Sequence, residues 1–260
     1  MTEHNNNAPA GAQALFRGLA VIEAVADGAR SLQRIGDAIG CTRSTTHRLV
    51  SALVQAGYLR NLEGEYALGS RLIELGFRAQ AQSPLVDLAR PHLRTLSTEY
   101  GDTVHLGVRE HDDVFYLDKM AGGRGLEMRS RIGMRMPLAL TGVGKALMLD
   151  LDESEWARLY DAGVSRRSGP GLRDEFTPWP DYLNQMKRYA QGGYSLDLEE
   201  NELGIRCVAA PIRDASGAIV AALSVASAIT YMPESRLEEL RPGVVETAGA
   251  ISRELGWRPT

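Results

Sequence analysis

The sequence has few cysteines and no long apolar run. Its 260 residues include only Cys41 and Cys207, which excludes a disulfide framework and favours a reducing cytoplasm as the location. No apolar stretch approaches the roughly 18–20 residues of a membrane span. The first residues, MTEHNNNAPAGAQ, lack the basic and apolar parts of a secretory signal. With 44% hydrophobic and 24% charged residues, the composition is that of a globular protein.

The net charge of −4 is small, which argues against a protein that binds polyanions generally. It is an average over two unlike parts. Residues 1–82 hold 8 basic and 7 acidic residues, whereas residues 83–260 hold 21 and 26. Residues 38–62 contain no acid. They contain four basic side chains, Arg43, His47, Arg48 and Arg60. We therefore predict a domain boundary near residues 81–84 and a local cationic face in the first part.

Three short helices are predicted in the first part. Leu15, Leu19 and Ile22 recur at the spacing of one helix face, and we expect this face to turn towards the core. A second helix at about 32–39 and a third at about 43–56 are separated by a short turn that contains glycine. Two helices joined in this way form a helix-turn-helix.

The outer side of the third helix carries short hydroxyls and long cations, which suit phosphates and base edges. Residues 58–68 alternate around a Glu-Gly turn, and this pattern predicts a two-stranded hairpin, the wing of a winged helix. The expected DNA contacts are Arg43, Ser44, Thr45, His47, Arg48, Arg60 and Asn61. A winged helix that contacts protein remains the alternative, because any amphipathic helix has a polar outer face.

A helix is predicted next, over residues 70–82, and we interpret it as a linker. Its apolar residues Leu72, Ile73 and Phe77 favour packing either on its own winged helix or on a second subunit. The remaining chain alternates between strand and helix patterns. Strand-like segments are expected at about 103–108, 114–118, 126–132, 136–140, 206–212 and 218–226. Helices are expected around them, which gives an α+β architecture with an antiparallel sheet.

Three segments carry a resemblance to the IclR family of bacterial transcriptional regulators. They are residues 44–49 (STTHRL) with 57–59 (GYL), residues 137–147 (PLALTGVGKAL), and residues 193–200 (GYSLDLEE) with 204–212 (GIRCVAAPI) and Asp214. The last segment departs from the family pattern at Arg213, where an aromatic residue or histidine is expected. The resemblance implies a winged helix that binds operator DNA and a GAF-like domain that binds a small molecule, in dimers or dimers of dimers. The implied organisation is a disordered tail over 1–11, a winged helix-turn-helix domain over 12–69, a linker helix over 70–82 and a GAF-like domain over 83–260.

The turn Thr141-Gly142-Val143-Gly144 opens a predicted helix, where backbone N–H groups favour an anion. A tight packing turn is the alternative. The turn is not a Walker loop, because alanine stands at residues 139 and 146. The resemblance extends the effector site to Asp197, Cys207 and Ser224. At one further position where the family pattern has a serine, this sequence has Ala226. Cys207 has the alternative role of a small buried apolar residue.

Two other groups of residues leave alternatives open. Arg129, Arg131 and Arg135 either face a ligand carboxylate or lie on a solvated strand edge. Cys207 and His105 could act as nucleophile and base, but no third orienting group is identifiable. The five histidines show no metal-ligand spacing. We therefore expect no catalytic residues, metal or cofactor.

The sequence thus predicts a ligand-responsive transcriptional regulator. Its partners are expected to be pseudo-palindromic operator DNA, a small organic or sugar acid, and a second copy of the chain. Repression of a catabolic operon is favoured because most of the proteins it resembles repress. Activation by the same fold, and a sensor whose winged helix contacts protein, are the alternatives.

Overall fold

The structure is a computed structural model that describes residues 12–81, 84–124, 128–166 and 176–258. It divides into two compact units, the N-terminal unit Met1–Ser83 and the C-terminal unit Pro84–Thr260. The tail predicted over 1–11 lies outside the described residues. Within the described ranges, no helix is long and apolar enough to cross a membrane.

The N-terminal unit is a winged helix-turn-helix, as the sequence predicts. Its elements are α1 (Gln13–Ala26), α2 (Leu32–Ile39), α3 (Arg43–Gln55), β1 (Leu59–Leu62), β2 (Glu65–Leu68) and α4 (Ser70–Ala81). The Ser31 hydroxyl caps α2 by accepting from the Arg34 N–H at 3.3 Å, and Gly40 ends it with φ +63°. The linker role of α4 stays a prediction.

The two helices of the motif pack closely at Gly36. A Cβ there would lie 3.1 Å from Thr46 Oγ1 and 3.3 Å from the Cys41 carbonyl oxygen, so α2 and α3 approach at a residue without a side chain. Thr46 is buried and its hydroxyl donates to the Thr42 carbonyl at 3.0 Å. The core of the unit is apolar, and its buried residues are Val21, Val25, Ile35, Val50 and Leu59.

The predicted core face of α1 is wrong. Leu15 and Leu19 are 65% and 48% exposed, whereas Val21 and Val25 are buried. This helix carries apolar residues on more than one side, so the spacing of Leu15, Leu19 and Ile22 does not decide which side is inward. The inward side is the one whose residues contact the α2, α3 and β1 side chains of the core.

The C-terminal unit is built on a six-stranded antiparallel sheet in the order β5-β4-β3-β8-β7-β6. Its strands are β3 (Thr103–Glu110), β4 (Asp113–Met120), β5 (Arg135–Pro137), β6 (Ser195–Leu198), β7 (Ile205–Arg213) and β8 (Ile219–Ala228). Its helices are α5 (Pro84–Tyr100), α6 (Gly142–Leu147), α7 (Glu153–Arg166), α8 (Trp179–Gly192) and α9 (Glu234–Glu254). The fold class predicted from the sequence, α+β with an antiparallel sheet, is confirmed.

Two details of the strand prediction differ from the structure. Residues 128–132 of the expected third segment are not a strand, and residues 126–127 lie outside the described residues. The strand that pairs with β4 is the shorter β5, and a turn of 3-10 helix follows it at Leu138–Leu140. The edge strand β6 has only four residues, too few for alternation to reveal it.

Strand alternation divides the side chains of the sheet between two layers. Val208, Ala210 and Ile212 pack with α5 and α9 in one buried cluster. Ala209 packs with α6, α7 and α8 in the other. Cys207 is two residues before Ala209 on the same strand, so its side chain points to the same face of the sheet, towards α6. This geometry fixes which side chains can meet the glycine turn.

Candidate effector pocket and nucleic-acid interface

The exposed face of α3 holds most of the predicted DNA contacts. Arg43, Ser44, His47 and Arg48 are exposed, while Thr46 and Val50 face the core. The Thr42 hydroxyl caps the helix by accepting from the Thr45 N–H at 3.5 Å, and it donates to the Thr45 hydroxyl at 3.1 Å. The exposed hydroxyls and cations therefore lie at and just after the start of α3, where the helix dipole favours an anion. Their contact with DNA stays a prediction.

The cations of the N-terminal unit differ in their partners. Arg30 pairs with Glu65 at 3.7 Å, and Arg71 and Arg78 both pair with Glu74. In contrast, none of the described residues forms an ion pair with the three exposed arginines of the predicted DNA surface. These are Arg43 and Arg48 on α3 and Arg60 on β1. Their guanidinium groups are therefore available to an external anion.

The predicted wing is a tight hairpin whose turn residues, Glu63 and Gly64, both have positive φ, at 55° and 94°. Asn61, one of the predicted DNA contacts, accepts a hydrogen bond from the Gly64 N–H at 2.8 Å. Its carboxamide oxygen therefore holds the turn. The Arg60 side chain is exposed beside it.

In the C-terminal unit, one cavity is lined by all six of the predicted effector residues. They are Thr141, Gly142, Val143, Asp197, Cys207 and Ser224. The cavity volume is about 30 Å³. That space admits no more than a few water molecules, so a bound organic acid requires the lining to move apart. The effector role of these residues stays a prediction.

The sheet register brings the strand residues of the pocket together. Asp197 pairs with Cys207, and Cys207 pairs with Ala226. The next row pairs Ser224 with His105. Ala226 lines the cavity at the position where the family pattern has a hydroxyl. Ser227 points to the opposite face of the sheet and cannot replace that hydroxyl.

The glycine turn is closely packed. The Thr141 hydroxyl accepts from the Gly144 N–H at 2.9 Å, and the Ser195 hydroxyl donates to the Gly142 carbonyl at 2.8 Å. A Cβ on Gly142 would overlap Cys207 Sγ, and one on Gly144 would overlap the Leu138 backbone. The packing reason for glycine is therefore present here, whether or not the backbone also binds a ligand.

A buried ion pair lies directly behind this turn. Lys145 on α6 is fully buried, and its ammonium contacts Glu200 Oε1 at 2.8 Å and Oε2 at 2.7 Å. Glu200 also accepts from the Leu198 N–H at 2.8 Å. Burial alone would lower the pKa of Lys145, but the Glu200 carboxylate raises it above its ordinary value. The pair ties the helix after the glycine turn to the loop after β6.

Asp197 is the second buried carboxyl of this group. Its Oδ1 accepts from the Glu200 N–H at 2.8 Å and from the Asn201 N–H at 3.4 Å. Burial raises the pKa of Asp197 to about 8, and the nearby Glu200 charge contributes in the same direction while Lys145 opposes it. The Lys145 ammonium contacts Glu200, and it acts on Asp197 through a longer-range electrostatic interaction.

This pKa predicts a pH-dependent stability. Between about pH 4 and pH 8 the folded chain binds more protons at Asp197 than the unfolded chain does, so the free energy of unfolding falls as pH rises. The slope due to this residue is at most about 1.4 kcal/mol per pH unit. Asp197→Asn, which cannot titrate, is expected to remove it.

Urea unfolding at several pH values from 5 to 8 gives the free energy of unfolding of each protein. The effect is the wild-type value minus the Asp197→Asn value, and we expect this difference to fall as pH rises. Tryptophan fluorescence reports on the correct unit, because Trp156, Trp179 and Trp257 all belong to the C-terminal unit. A difference that stays constant or grows with pH contradicts the prediction.

His105, considered in the sequence only as a catalytic base, lines the same cavity. Its ring nitrogens contact Ser130 Oγ at 2.8 Å and Ser224 Oγ at 3.4 Å. Burial, with a smaller contribution from Lys119, lowers the pKa of His105 to about 3, so the imidazole is neutral. Burial and the Asp197 charge raise the pKa of the Cys207 thiol. A neutral thiol and a neutral ring give the site hydrogen-bonding groups, not an activated nucleophile.

Several lining residues were not identified from the sequence. They are Tyr116, Met128, Ser130, Asn201, Glu202 and Ile205. Alternation along β4 could have indicated that Tyr116 faces inward. The loop residues could not have been identified, because no periodicity governs a loop. In the described part of the chain, no cluster of His, Cys, Asp and Glu could hold a metal ion.

The arginines of the basic segment are solvated. Arg129, Arg131 and Arg135 are all exposed, and Arg135 pairs with Glu110. Their exposure agrees with the solvated alternative, although only Arg135 lies on a strand, the edge strand β5. Arg213, where the chain departs from the family pattern, donates to Asp150 and to the Gly217 carbonyl. It therefore makes a local contact at the β7–β8 hairpin.

Comparisons with known proteins agree with this architecture. A family model described as bacterial transcriptional regulator IclR C-terminal matches residues 77–253, and one for the IclR helix-turn-helix domain matches residues 14–63. The DNA-binding transcriptional repressor YiaJ of Escherichia coli (strain K12) is 31% identical over 254 residues, which are 96% of this chain and 90% of that protein.

Two solved structures have the same fold. The IclR protein of Thermotoga maritima superposes with a TM-score of 0.76 at 27% identity, covering 94% of this chain and 98% of the other. An IclR homologue from Microbacterium hydrocarbonoxydans, complexed with 4-hydroxybenzoate, superposes with a TM-score of 0.77 at 24% identity, covering 93% and 98%.

Proposed function

The chain belongs to the IclR family of bacterial transcriptional regulators, and from this premise we propose that it represses a catabolic operon until a small organic or sugar acid releases it from its operator. In this proposal α3 and the β1–β2 hairpin bind DNA in the cytoplasm, and the cavity beside the glycine turn binds the effector.

The observation that carries the proposal is the set of exposed arginines on α3 and β1 that pair with no acid among the described residues. Three other arginines of this unit, Arg30, Arg71 and Arg78, form ion pairs with Glu65 or Glu74, whereas Arg17 and Arg34 form none with the described residues. Cations left without an acidic partner are suited to phosphates, and Arg is suited to bidentate contact with guanine. The seven DNA contacts predicted from the sequence are retained, with Asn61 acting through the turn that it stabilises.

The chain is proposed to act as a dimer. Helix α1 exposes Leu15 and Leu19, and α4 exposes Ile73 and Phe77, which are 63% and 69% accessible. In each helix the two residues are four apart, so they lie on one face. Exposed apolar faces of this kind mark protein contacts. A dimer would present two α3 helices to the two half-sites of a pseudo-palindrome.

Phe77→Glu is expected to weaken this dimer. A charge at an apolar interface must be desolvated on association, so the monomer fraction should rise at micromolar concentration. Sedimentation velocity measures the change. Leu203→Glu, a charge at an exposed apolar residue of the C-terminal unit, is the matched control. If both variants stay dimeric, α4 is not part of the subunit contact.

Effector binding is proposed to shift the equilibrium between a DNA-competent and a released arrangement. The shift cannot exceed the difference in effector affinity between the two states. Thr141, Gly142, Val143, Asp197, Cys207 and Ser224 are the proposed effector contacts. The helix α4 is proposed to carry the change to the winged helices.

A gel shift with the DNA upstream of the chain's own gene tests this function. The wild-type chain should retard that DNA, and a metabolite acid should release it. Asp197→Asn is expected to bind the operator as tightly as the wild type but to need at least about tenfold more effector for release, since an amide offers the effector a different hydrogen-bonding group from the carboxyl.

Three results would count against the proposal. The absence of retardation would refute operator binding. A wild-type response in Asp197→Asn would show that the pocket is elsewhere. An acid that strengthens retardation would favour activation over repression.

A further inference from the structure

Strand β4 contains a β-bulge beside the pocket. Asp118 pairs with Leu106 of β3. The next residue of β3, Gly107, pairs with Tyr116, so Leu117 is an extra residue in β4. In a regular strand, residues two apart point to the same face of the sheet. The bulge changes this, because Tyr116 lines the cavity whereas Asp118 lies on the opposite face, towards α5.

Lys119 follows directly and lies on the pocket side of the sheet. It pairs with His105, which lines the cavity. Its ammonium donates to the Met128 carbonyl at 3.3 Å and to the Ser130 carbonyl at 2.6 Å. The His105 ring contacts the Ser130 hydroxyl at 2.8 Å. One pair of neighbouring strand residues therefore holds residues 128–134, which we call the strap, against the cavity.

Asp118 makes a contact of similar kind on the other face. It is 2% exposed, and its Oδ2 accepts from the Nε of Arg90 on α5 at 2.9 Å. Its Oδ1 accepts from the Lys119 backbone N–H at 2.9 Å, which fixes the carboxylate relative to the bulge. Separating a buried carboxylate from its arginine is costly, so we expect α5 and this part of β4 to move together.

An occupant of the pocket has to displace part of its lining. The cavity volume is about 30 Å³, and the strap contributes Met128 and Ser130 to the lining. Displacing the strap breaks the contacts of Lys119 with its carbonyl groups. Asp118 is the next residue, and it contacts α5 on the opposite face of the sheet. The chain reaches α5 shortly after α4, which ends at Ala81, because α5 begins at Pro84.

We infer that Asp118 and Lys119 act as one coupling element between the pocket and α5. When the strap is displaced, Lys119 loses its carbonyl acceptors, β4 is released at the bulge, and the Asp118–Arg90 pair carries the change to α5. Asp118 and Arg90 are thus positioning residues for the effector response, although neither is among the described residues that line the cavity. The consequence for DNA rests on the proposed function, whereas the coupling within the C-terminal unit does not.

Hydrogen exchange of the full-length chain, measured by mass spectrometry without any ligand, tests the coupling. Lys119→Met removes the ammonium that holds the strap. Exchange should become faster in peptides that cover the strap and, by at least about threefold, in peptides that cover α5. The same substitution is then made in a background with Arg90→Met and Asp118→Asn, which removes both charges of the pair. In that background Lys119→Met should accelerate the strap but not α5.

His92→Ala provides the matched control background. His92 also lies on α5, but it pairs with Glu254 of α9, so Lys119→Met should still accelerate exchange in α5 there. The inference is wrong if Lys119→Met leaves exchange in α5 unchanged, or if the acceleration is equal with and without the Asp118–Arg90 pair. Should Lys119→Met fail to fold, Lys119→Gln replaces it, because its shorter amide cannot reach both carbonyls.

A gel shift with the DNA upstream of the chain's own gene extends the test to the response. Displacing the strap imitates a bound effector, so Lys119→Met should weaken retardation by at least about fivefold without any ligand. The weakening should disappear in the background without the Asp118–Arg90 pair. If wild-type chain fails to retard this DNA, the proposed function is wrong, and hydrogen exchange still decides the coupling. If wild type retards the DNA and Lys119→Met does so equally, the inferred role in the response is wrong.

Discussion

Replacing Glu200 by alanine is expected to lower the free energy of unfolding of the C-terminal unit by about 3–5 kcal/mol. The Lys145 ammonium is fully buried and contacts both Glu200 oxygens. Alanine leaves this ammonium without its counter-charge and also removes the acceptor of the Leu198 N–H. The cost of the uncompensated buried charge exceeds what the surrounding structure can recover. Urea unfolding followed by tryptophan fluorescence measures the loss.

Two controls show whether the loss of stability arises because the ion pair is buried or simply because an ion pair is broken. Glu153→Ala breaks an exposed pair with Lys187, whose side chains are 58% and 45% accessible, and should cost less than about 1 kcal/mol. The double variant Lys145→Met with Glu200→Gln removes both charges and keeps an acceptor for Leu198. It should recover most of the stability. Equal losses in Glu200→Ala and Glu153→Ala would contradict the importance of burial.

Replacing Arg48 by alanine is expected to weaken operator binding by at least about 30-fold. A good bidentate contact with a base contributes about 1–3 kcal/mol, and a dimer loses the contact twice. Arg48 is exposed on α3 and has no ion-pair partner among the described residues, so its removal leaves no buried group unsatisfied. The fold, the dimer and effector affinity should therefore be unchanged.

Fluorescence anisotropy with operator DNA at fixed salt measures this loss, because affinities at different salt are not comparable. Arg78→Ala is the matched control. It also removes one cation from the N-terminal unit, but this arginine already pairs with Glu74 on α4. A loss in Arg78→Ala as large as in Arg48→Ala would indicate a general charge effect rather than contact by α3. Unchanged binding in Arg48→Ala would exclude it from the interface.

Much of the winged helix-turn-helix in the N-terminal unit could be predicted from local sequence. Ser31, Gly40 and Gly64 act on their immediate neighbours, through a cap, a left-handed residue and a turn. Such signals span three or four residues and need no tertiary information. The positions of Arg43, His47 and Arg48 likewise indicated the exposed face of α3, because charge is excluded from a buried face but not from an exposed one.

The pocket could be predicted only in part. The resemblance to the IclR family supplied Asp197, Cys207 and Ser224, and the register of β6, β7 and β8 brings them to one cavity. Tyr116 and His105 were missed as lining residues, because they come from strands far away in sequence. Tyr116 on β4 and His105 on β3 lie near the pocket residues of β6, β7 and β8 only because β3 pairs with β8.

By itself, the sequence determined most of the element types, the two-part division of charge and the resemblance to the family. These follow from local propensity, periodicity and motif spacing. Only the tertiary structure decided that α1 buries Val21 and Val25 rather than Leu15 and Leu19. It also decided that Lys145 pairs with Glu200, and that Tyr116 and His105 line the same cavity as Asp197. Each of these depends on which distant residues share one buried space, and periodicity along the chain contains no information about that choice.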